Sequence, residues 1–203
     1  MSRPRGLRVI AGTARGRRLV APAGNHVCPT KDIAREAMFS ALDARGALDD
    51  ATVLDLYAGT GALAIEALSR GAATAVLVEW DRAALEAVRA NLQVLGGVAS
   101  VDGSIARSVG TRAAVVARDV GRFLAGGPPA EAPFDLVFVD PPYDTPDDDI
   151  TALLATLLAP GGLTAEAIVS VERPTRHPVV VPLGLSNGWQ RTFGDTLLTF
   201  LFL

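Results

Sequence analysis

The sequence predicts an α/β fold with a mostly parallel sheet and helices on both of its faces. From residue 52 to residue 172, apolar runs of strand length alternate with segments in which apolar residues recur at helical spacing, and this alternation is typical of parallel sheets. The first of these strands leads through a glycine-containing turn directly into a helix, which is how such sheets present a ligand site. The 203 residues, 49% of them hydrophobic, suffice for one such domain and a small extension.

The first structured segment is predicted to be a β-hairpin. Its arms are 7–12 and 15–21, with Thr13 and Ala14 at the turn. Arginines lie on both arms, so we expect this hairpin to be an appendage that does not contribute to the core. The predicted division is therefore a basic N-terminal hairpin at 1–28 and a main domain at 29–203.

The main domain begins with a helix that opens at Pro29, with Thr30 as its cap, and ends at Gly46. The strands and helices predicted after it are 53–57, 62–70, 75–79, 82–95, 114–117, 134–140, 148–158 and 167–172. Two last strands, 189–193 and 196–203, are joined by Gly194 and Asp195 and predict an antiparallel hairpin at the sheet edge, for seven strands in all. The segment between Gly96 and Arg112 stays unassigned.

The composition argues against several classes of protein. The longest apolar ending, at 196–203, is too short to cross a bilayer. No apolar segment or cleavage site follows the first arginines, so we expect a cytoplasmic protein without a secretory signal. Cys28 has only His26 and His177 as possible companions in a metal site, so we expect neither an internal disulfide nor bound metal. We expect a monomer.

The distribution of charge points to a polyanionic partner. The first 31 residues contain seven Lys and Arg side chains and no acid, so they carry +7 and the other 172 residues carry −10 of the net −3. Clustered cations bind phosphate backbones through counterion release. The predicted nucleic-acid contacts are Arg8, Arg15, Arg17 and Arg18. On charge alone, a solvated tail remains an equal alternative.

The segment VLDLYAGTGAL, residues 53–63, has the features of a cofactor turn. Gly59 and Gly61 lie between the strand and the helix, after Tyr57, where backbone must approach a ligand. The glycines also fit the GxGxxA pattern of dinucleotide sites, so this motif alone leaves NAD possible. Asp55, however, would repel a pyrophosphate and can accept a hydrogen bond from an ammonium group. S-adenosylmethionine, a cationic cofactor with an amino-acid end, fits better.

The adenosine end of the cofactor has candidate partners after the next two strands. Glu79 ends its strand and is placed to accept hydrogen bonds from both ribose hydroxyls, while Trp80 offers an aromatic face to the adenine. Asp119 could accept from the adenine amino group and Val120 could pack on the ring. Asp119 could equally cap a helix, and both interpretations stay open.

The tetrapeptide Asp140-Pro141-Pro142-Tyr143 carries the predicted chemistry. It follows a buried-strand run, and its prolines predict a rigid turn with carbonyls that no local amide can reach. Hydrogen bonds to the Asp140 carboxylate and the Pro141 carbonyl would orient the weakly nucleophilic exocyclic amine of a nucleic-acid base toward a methyl donor. Tyr143 could stack on the presented base. The structural alternative is a stiff turn with Tyr143 in the core.

With both motifs, the chain resembles the Rossmann-like class I amino-group methyltransferases, whose signature is a (D/N)PP(Y/F) turn. It is most similar to the bacterial 16S ribosomal RNA guanine-N2 methyltransferases. The segments that carry this similarity are RVIAGTARGRRL at 8–19, PTKDIAREAMFSAL at 29–42, LDLYAGTGALAIEALSRGA at 54–72, VEWDRAALEAVRANL at 78–92, FVDPPY at 138–143 and FGDTLL at 193–198.

The resemblance implies transfer of a methyl group from S-adenosylmethionine to N2 of a guanine in the helix 31 loop of small-subunit RNA, in assembled or partly assembled 30S particles. Carried over by position, Asp55, Gly59, Gly61, Glu79 and Asp119 would bind cofactor, Asp140 to Tyr143 would catalyse, and the hairpin would hold RNA. The 96–112 segment looks longer than in the family, which leaves the role of Asp119 less secure.

Three alternatives stay open at this point. A DNA adenine or cytosine amino methyltransferase would use the same turn, but the chain has no room for a target-recognition domain. A protein-glutamine methyltransferase favours Asn where this chain has Asp140. A non-catalytic RNA-binding assembly factor would not need an intact Asp140 to Tyr143 turn.

Overall fold

The structure, a computed structural model, describes residues 6–22, 29–96, 106–107 and 112–203. Side chains at 29–31 and 106–107 are outside that description. The predictions on His26 and Cys28, on Thr30 as a cap, and on most of the 96–112 segment therefore lie outside the described residues.

Within the described ranges, helices and strands alternate as the hydrophobic pattern predicts. The helices are α1 (Pro29–Asp43), α2 (Ala62–Arg70), α3 (Arg82–Leu92), α4 (Val120–Leu124) and α5 (Asp147–Leu157), with a 3₁₀ turn at Gln93–Leu95. The strands are β1 (Thr52–Leu56), β2 (Thr74–Glu79), β3 (Ala106–Arg107), β4 (Ala113–Ala117), β5 (Phe134–Val139), β6 (Leu163–Pro174), β7 (Ser186–Phe193) and β8 (Thr196–Phe202). The short helix α4 had no counterpart in the predicted elements.

One sheet holds all these strands, in the order β3-β4-β2-β1-β5-β6-β8-β7. The five strands from β4 to β6 are parallel, and β3, β8 and β7 are antiparallel at the two edges. The predicted α/β class and the C-terminal antiparallel hairpin are confirmed. The two-residue strand β3 adds an eighth strand to the seven expected and lies in the unassigned segment.

The sheet order reverses at the pair β1 and β5, and this reversal positions the site. Leu56 at the end of β1 is paired with Val139 at the end of β5. Tyr57 and Asp140 therefore leave the sheet side by side at its carboxyl edge. In open α/β sheets, ligands bind in the crevice at such a point, because the loops after the two strands diverge there.

Apolar side chains of alternating strand residues build a core on each side of the sheet. Val53 packs with residues of α1, α2 and α3 on one side, and Leu54 and Leu56 pack with residues of α4 and α5 on the other. Strands buried on both faces are continuous apolar runs, which is why the sequence pattern identifies them well.

The N-terminal hairpin differs from the prediction. Its arms make a single bridge, between Arg8 and Arg18, in place of two continuous strands. Val9, Ala14 and Leu19 are buried and belong to the core cluster that includes α1 and α2. The expectation of an appendage outside the core is therefore wrong for the described residues, because the inward side of the hairpin is apolar while Arg15, Arg17 and Arg18 face outward.

Candidate active site

The turn between β1 and α2 has a backbone that few residues tolerate. Tyr57, Gly59 and Gly61 have φ angles of 61°, 56° and 73°, all in the left-handed region. A Cβ atom at Gly61 would also lie 3.0 Å from Leu77 Cδ2. Only glycine meets both demands at that position. Tyr57, half-buried, adopts the same region without being glycine, a strain that proteins retain mainly at functional sites.

Asp55 lies buried beneath this turn. Its side chain is 1% exposed, and its Oδ2 atom accepts a hydrogen bond from the Ala64 amide at 3.1 Å. Burial raises the pKa of Asp55 to about 8, with the Ala64 hydrogen bond acting to lower it and the negative charges of Asp140 and Glu79 acting to raise it. The structure thus brings together three of the acids predicted for the site. A cation placed among them would be favoured, because it would offset their mutual repulsion.

Glu79 has a structural role that the sequence analysis did not predict. Its Oε2 atom accepts from the Gly59 amide at 2.8 Å, and its Oε1 atom accepts from the amides of Trp80 and Asp81 at 2.7 and 2.8 Å. Each carboxylate oxygen has two acceptor positions. Backbone amides occupy three of these four acceptor positions, so Glu79 fixes the conformation of the glycine turn. In this arrangement, one acceptor position remains for a further donor.

An open groove lies beside the ends of β2 and β4. It is lined by Trp80, Ala117, Arg118, Asp119 and Arg122. Trp80 is 72% exposed and offers its ring to the groove, as a partner of adenine would. Asp119 caps α4, since its Oδ1 atom accepts from the Arg122 amide at 3.0 Å.

Two other predicted cofactor residues sit close to this groove. Val120 is 2% exposed and packs in the core, which leaves its side chain little surface for a ring. The pKa of Tyr57 is raised by burial and by the charges of Asp119 and Asp149, so Tyr57 and Asp119 belong to one electrostatic environment.

The Asp140-Pro141-Pro142-Tyr143 segment forms a turn directly after β5. Pro141 is buried and Pro142 is exposed. The Pro142 carbonyl accepts a hydrogen bond from the Thr145 amide at 3.0 Å, so the expectation that no local amide reaches these carbonyls is wrong for Pro142. In the described part of the chain, no backbone amide donates to the Pro141 carbonyl. That carbonyl is the acceptor that the proposed chemistry requires.

Tyr143 lies at the rim of the turn. Its side chain is 37% exposed, and its hydroxyl oxygen is 2.8 Å from the Thr196 Oγ1 atom. Tyr143 is therefore partly exposed at the rim, and the alternative of a core tyrosine does not describe it.

The far end of the turn is held by a buried arginine in β6. Arg173, 2% exposed, donates from Nη2 to the Thr145 carbonyl at 2.9 Å and to Asp147 Oδ1 at 2.6 Å. The His177 Nδ1 atom lies 3.2 Å from the other Asp147 oxygen. Hydrogen bonds from Arg173 and His177 hold the pKa of Asp147 below its usual value. Neither Arg173 nor Thr196 was a sequence candidate, because each is far along the chain from the turn that it contacts.

A buried glutamate fixes the N-terminal hairpin to α2. Glu66 is fully buried, and its oxygens accept from the amides of Ile10 at 2.7 Å and Ala11 at 2.9 Å. The Arg70 Nε atom donates to the same carboxylate at 2.7 Å. A buried carboxylate with such partners is costly to lose, since the chain amides would be left without their acceptor.

Ser69 makes the second attachment of the hairpin. Its hydroxyl donates to the Ala11 carbonyl at 2.6 Å and accepts from the Ala14 amide at 2.9 Å. Gly12 approaches so closely that a Cβ atom there would lie 1.8 Å from the Ser69 carbonyl oxygen. Arg15, Arg17 and Arg18 project from this anchored hairpin into solvent, whereas the fourth predicted RNA contact, Arg8, is half-buried.

A buried asparagine connects the end of the hairpin to the glycine turn. Asn91 in α3 is 1% exposed; its Nδ2 atom donates to the carbonyls of Val20 at 2.8 Å and Thr60 at 2.9 Å, and its Oδ1 atom accepts from the Val20 amide at 2.6 Å. The basic hairpin and the predicted cofactor turn are thus parts of one rigid framework.

Within 6–22, 29–96, 106–107 and 112–203, no group of three or more His, Cys, Asp and Glu side chains is arranged to hold a metal ion. In the same ranges, no helix is long and apolar enough to cross a membrane.

Known proteins share both this fold and much of this sequence. The chain is 36% identical over 190 residues to the "Ribosomal RNA small subunit methyltransferase D" of Escherichia coli K12, covering 93% of this chain and 86% of that protein. The solved structure of a candidate methyltransferase, yhhF from Escherichia coli, superposes with a TM-score of 0.77 at 31% identity over 96% of both chains. A third structure, SMU.776, is a candidate methyltransferase complexed with SAH. It superposes with a TM-score of 0.65 at 12% identity, and the match covers 87% of this chain and 50% of the SMU.776 chain.

These neighbours confirm the predicted Rossmann-like class I methyltransferase fold. The model of the family described as "Conserved hypothetical protein 95" matches residues 7–202, which is nearly the whole chain. Because this match covers nearly the whole chain, and the Escherichia coli relative is 36% identical over 93% of it, the chain belongs to the Conserved hypothetical protein 95 family.

Proposed function

We propose that the protein is an S-adenosylmethionine-dependent ribosomal RNA methyltransferase that modifies the exocyclic N2 of a guanine in 16S rRNA. The observation that carries the proposal is the pairing of Leu56 with Val139, which sets the Asp140 turn beside the glycine turn. A turn able to bind an amine next to a turn able to bind a cationic cofactor is what methyl transfer to nitrogen requires. The name of the Escherichia coli relative supports small-subunit rRNA as the substrate.

The acids beneath the glycine turn suit this cofactor. Asp55, Glu79 and Asp140 influence one another electrostatically, and the ammonium and sulfonium groups of S-adenosylmethionine would supply the compensating positive charge. Binding would lower the pKa of Asp55 from about 8 and release its proton. Trp80 and Asp119 in the adjacent groove would receive the adenine, and the remaining acceptor position of Glu79 would receive one ribose hydroxyl.

The chemistry needs an oriented amine more than a strong base. The guanine N2 would donate one hydrogen bond to the Asp140 carboxylate and one to the Pro141 carbonyl, with its ring stacked on Tyr143. This arrangement directs the nitrogen lone pair at the methyl group. As the N–C bond forms and the S–C bond breaks, positive charge develops on N2, Asp140 stabilises it, and the proton leaves N2 for Asp140 or solvent. The bound cofactor supplies the methyl group.

The anchored hairpin would hold the RNA. Arg15, Arg17 and Arg18 are exposed on a segment fixed by Glu66 and Ser69, so their charges have a defined position for phosphate contacts. We propose the helix 31 loop in assembled or partly assembled 30S particles as the target, with a monomeric enzyme acting in the cytoplasm.

The test is a tritium-transfer assay with naked 16S rRNA, 30S particles and DNA, followed by identification of the modified nucleoside. N2-methylguanosine formed on 30S particles supports the proposal. Methylated adenine or cytosine in DNA would favour the amino methyltransferase alternative. Binding to 30S without any transfer would favour the non-catalytic assembly factor.

A further inference from the structure

The tyrosine of the catalytic turn is held by a residue from a different part of the chain. The Tyr143 hydroxyl lies 2.8 Å from Thr196 Oγ1, and either oxygen can donate in this pair. Thr196 is 5% exposed, whereas Tyr143 is 37% exposed. The contact therefore joins a partly open ring to a buried point of the sheet, 53 residues further along the chain.

Thr196 is itself fixed by both neighbouring strands. As the first residue of β8, it is paired with Pro174 of β6 and with Phe193 of β7. The turn between β7 and β8, Gly194–Asp195, is attached to the end of β6 by a hydrogen bond from the Thr175 amide to the Asp195 carbonyl at 2.8 Å. The hydroxyl of Thr196 is thus a rigid reference point at the edge of the site.

A tyrosine ring at a loop rim can rotate about χ1 and χ2, and a hydrogen bond at the far end of the ring restricts both rotations. The rest of the turn is restrained separately, by the Thr145 amide on the Pro142 carbonyl and by Arg173 on Thr145 and Asp147. The hydrogen bond to Thr196 acts on the Tyr143 ring itself, at its hydroxyl end.

We propose that Thr196 is a positioning residue that sets the ring of Tyr143 as the stacking surface for the target base. This inference rests on the proposed function, since it concerns how the substrate base is aligned at the same site. A misaligned ring should slow the methyl-transfer step. It should affect RNA affinity little, because phosphate contacts dominate that affinity.

The test uses single-turnover methyl transfer to saturating 30S particles with wild type, Thr196→Val, Tyr143→Phe and the double variant. Each single variant removes one partner of the hydrogen bond and keeps the shape of its side chain. We expect each to slow the step by about 3- to 10-fold, the effect of one neutral hydrogen bond, and the double variant to be no slower than either. Thr196→Ser, which keeps the hydroxyl, should restore the rate.

A matched control separates positioning from a loss of stability. Thr199 lies in the same strand, is 1% exposed and accepts a hydrogen bond from Gln190 Nε2 at 3.2 Å. Thr199→Val should lower the melting temperature while leaving the single-turnover rate at the wild-type value. A rate loss in Thr199→Val equal to that in Thr196→Val would overturn the inference, because any buried threonine of β8 would then have the same effect.

The remaining outcomes distinguish this inference from the proposed function. Wild-type rates in Thr196→Val and Tyr143→Phe, beside large losses in Asp140→Ala and Tyr143→Ala, would overturn the role of Thr196 and leave the proposed function standing. Wild-type rates in all four would remove the catalytic assignment of the turn itself. If Thr196→Val does not fold, Tyr143→Phe decides, since it leaves β8 intact: a slower single turnover with unchanged 30S affinity supports the inference, and a wild-type rate refutes it.

Discussion

The buried carboxyl group of Asp55 predicts an unusual dependence of stability on pH. Its pKa in the folded, ligand-free protein is about 8, against 3.8 as its ordinary value. A raised pKa means that the folded state binds the proton more tightly than the unfolded state does. The contribution of Asp55 to stability is therefore most favourable below pH 4 and is lost as the pH rises toward 8, by up to about 1.4 kcal/mol for each pH unit.

Substitution of Asp55 by Asn isolates this effect. Asn keeps an oxygen that can accept from the Ala64 amide, but it cannot ionise, so the cost of a buried charge is removed. We expect Asp55→Asn and wild type to have similar melting temperatures near pH 5. At pH 8 the variant should be the more stable by up to about 4 kcal/mol, which corresponds to a melting temperature about 8–16 °C higher for a chain of this size.

The measurement is a set of melting curves without ligand from pH 5 to pH 8.5 for both proteins. The difference between them cancels the titration of every group that does not interact with Asp55. S-adenosylmethionine should reverse the order at pH 8, because its ammonium group pairs with ionised Asp55 in wild type and not in the variant. If the melting temperatures of the two proteins change with pH in parallel, ionisation of buried Asp55 does not lower the stability of the wild type.

Three further variants test the roles of Glu79, of the exposed arginines and of Glu66. Glu79→Ala should greatly reduce the thermal shift caused by S-adenosylmethionine, because it removes the acceptor for the amides of Gly59, Trp80 and Asp81; an undiminished shift would clear Glu79 of any role in the cofactor turn. Replacing Arg15, Arg17 and Arg18 with Ala should weaken 30S binding and lower the slope of log affinity against log salt by about one for each lost phosphate contact; an unchanged slope would make the hairpin a solvated surface only. Glu66→Gln should lower stability by about 1–3 kcal/mol, measured by urea unfolding, because one of its acceptors is replaced by a donor that faces the amide of Ile10 or Ala11; stability equal to wild type would show that this carboxylate does not anchor the hairpin.

The sequence predicts the central sheet well because its strands are buried on both faces. Runs such as 134–139 are apolar throughout and end in a conspicuous polar turn, so both the strand and the position of Asp140 follow from local pattern. The residues of the glycine turn follow in the same way, since Gly59 and Gly61 come shortly after a buried strand. Local chemistry is sufficient wherever a site residue ends a strand.

Contacts between distant segments could not be predicted in that way. The sequence predicted the hairpin to be an appendage because arginines are the most conspicuous residues of that segment. Its backbone is anchored by Glu66, and nothing in the local sequence distinguishes Glu66 from any other glutamate of a helix. Arg173 and Thr196 contact the 140–147 segment only because β6 lies beside β5, and β8 beside β6, in the sheet order. The triple use of Glu79 by backbone amides likewise depends on the conformation of a turn. Such roles arise from tertiary structure and leave no periodic signal.

The most direct test of the central claim is single-turnover methyl transfer by Asp140→Ala and Tyr143→Ala on saturating 30S particles, with the modified nucleoside identified. Asp140→Ala should slow the step by about 10²-fold, the scale seen when an electrostatic stabiliser is removed, while the affinities for S-adenosylmethionine and 30S hold. Tyr143→Ala should also be slowed, since the base loses its stacking surface. The product made by wild type should be N2-methylguanosine. Near-normal rates in both variants, or a different methylated nucleoside, would contradict the account.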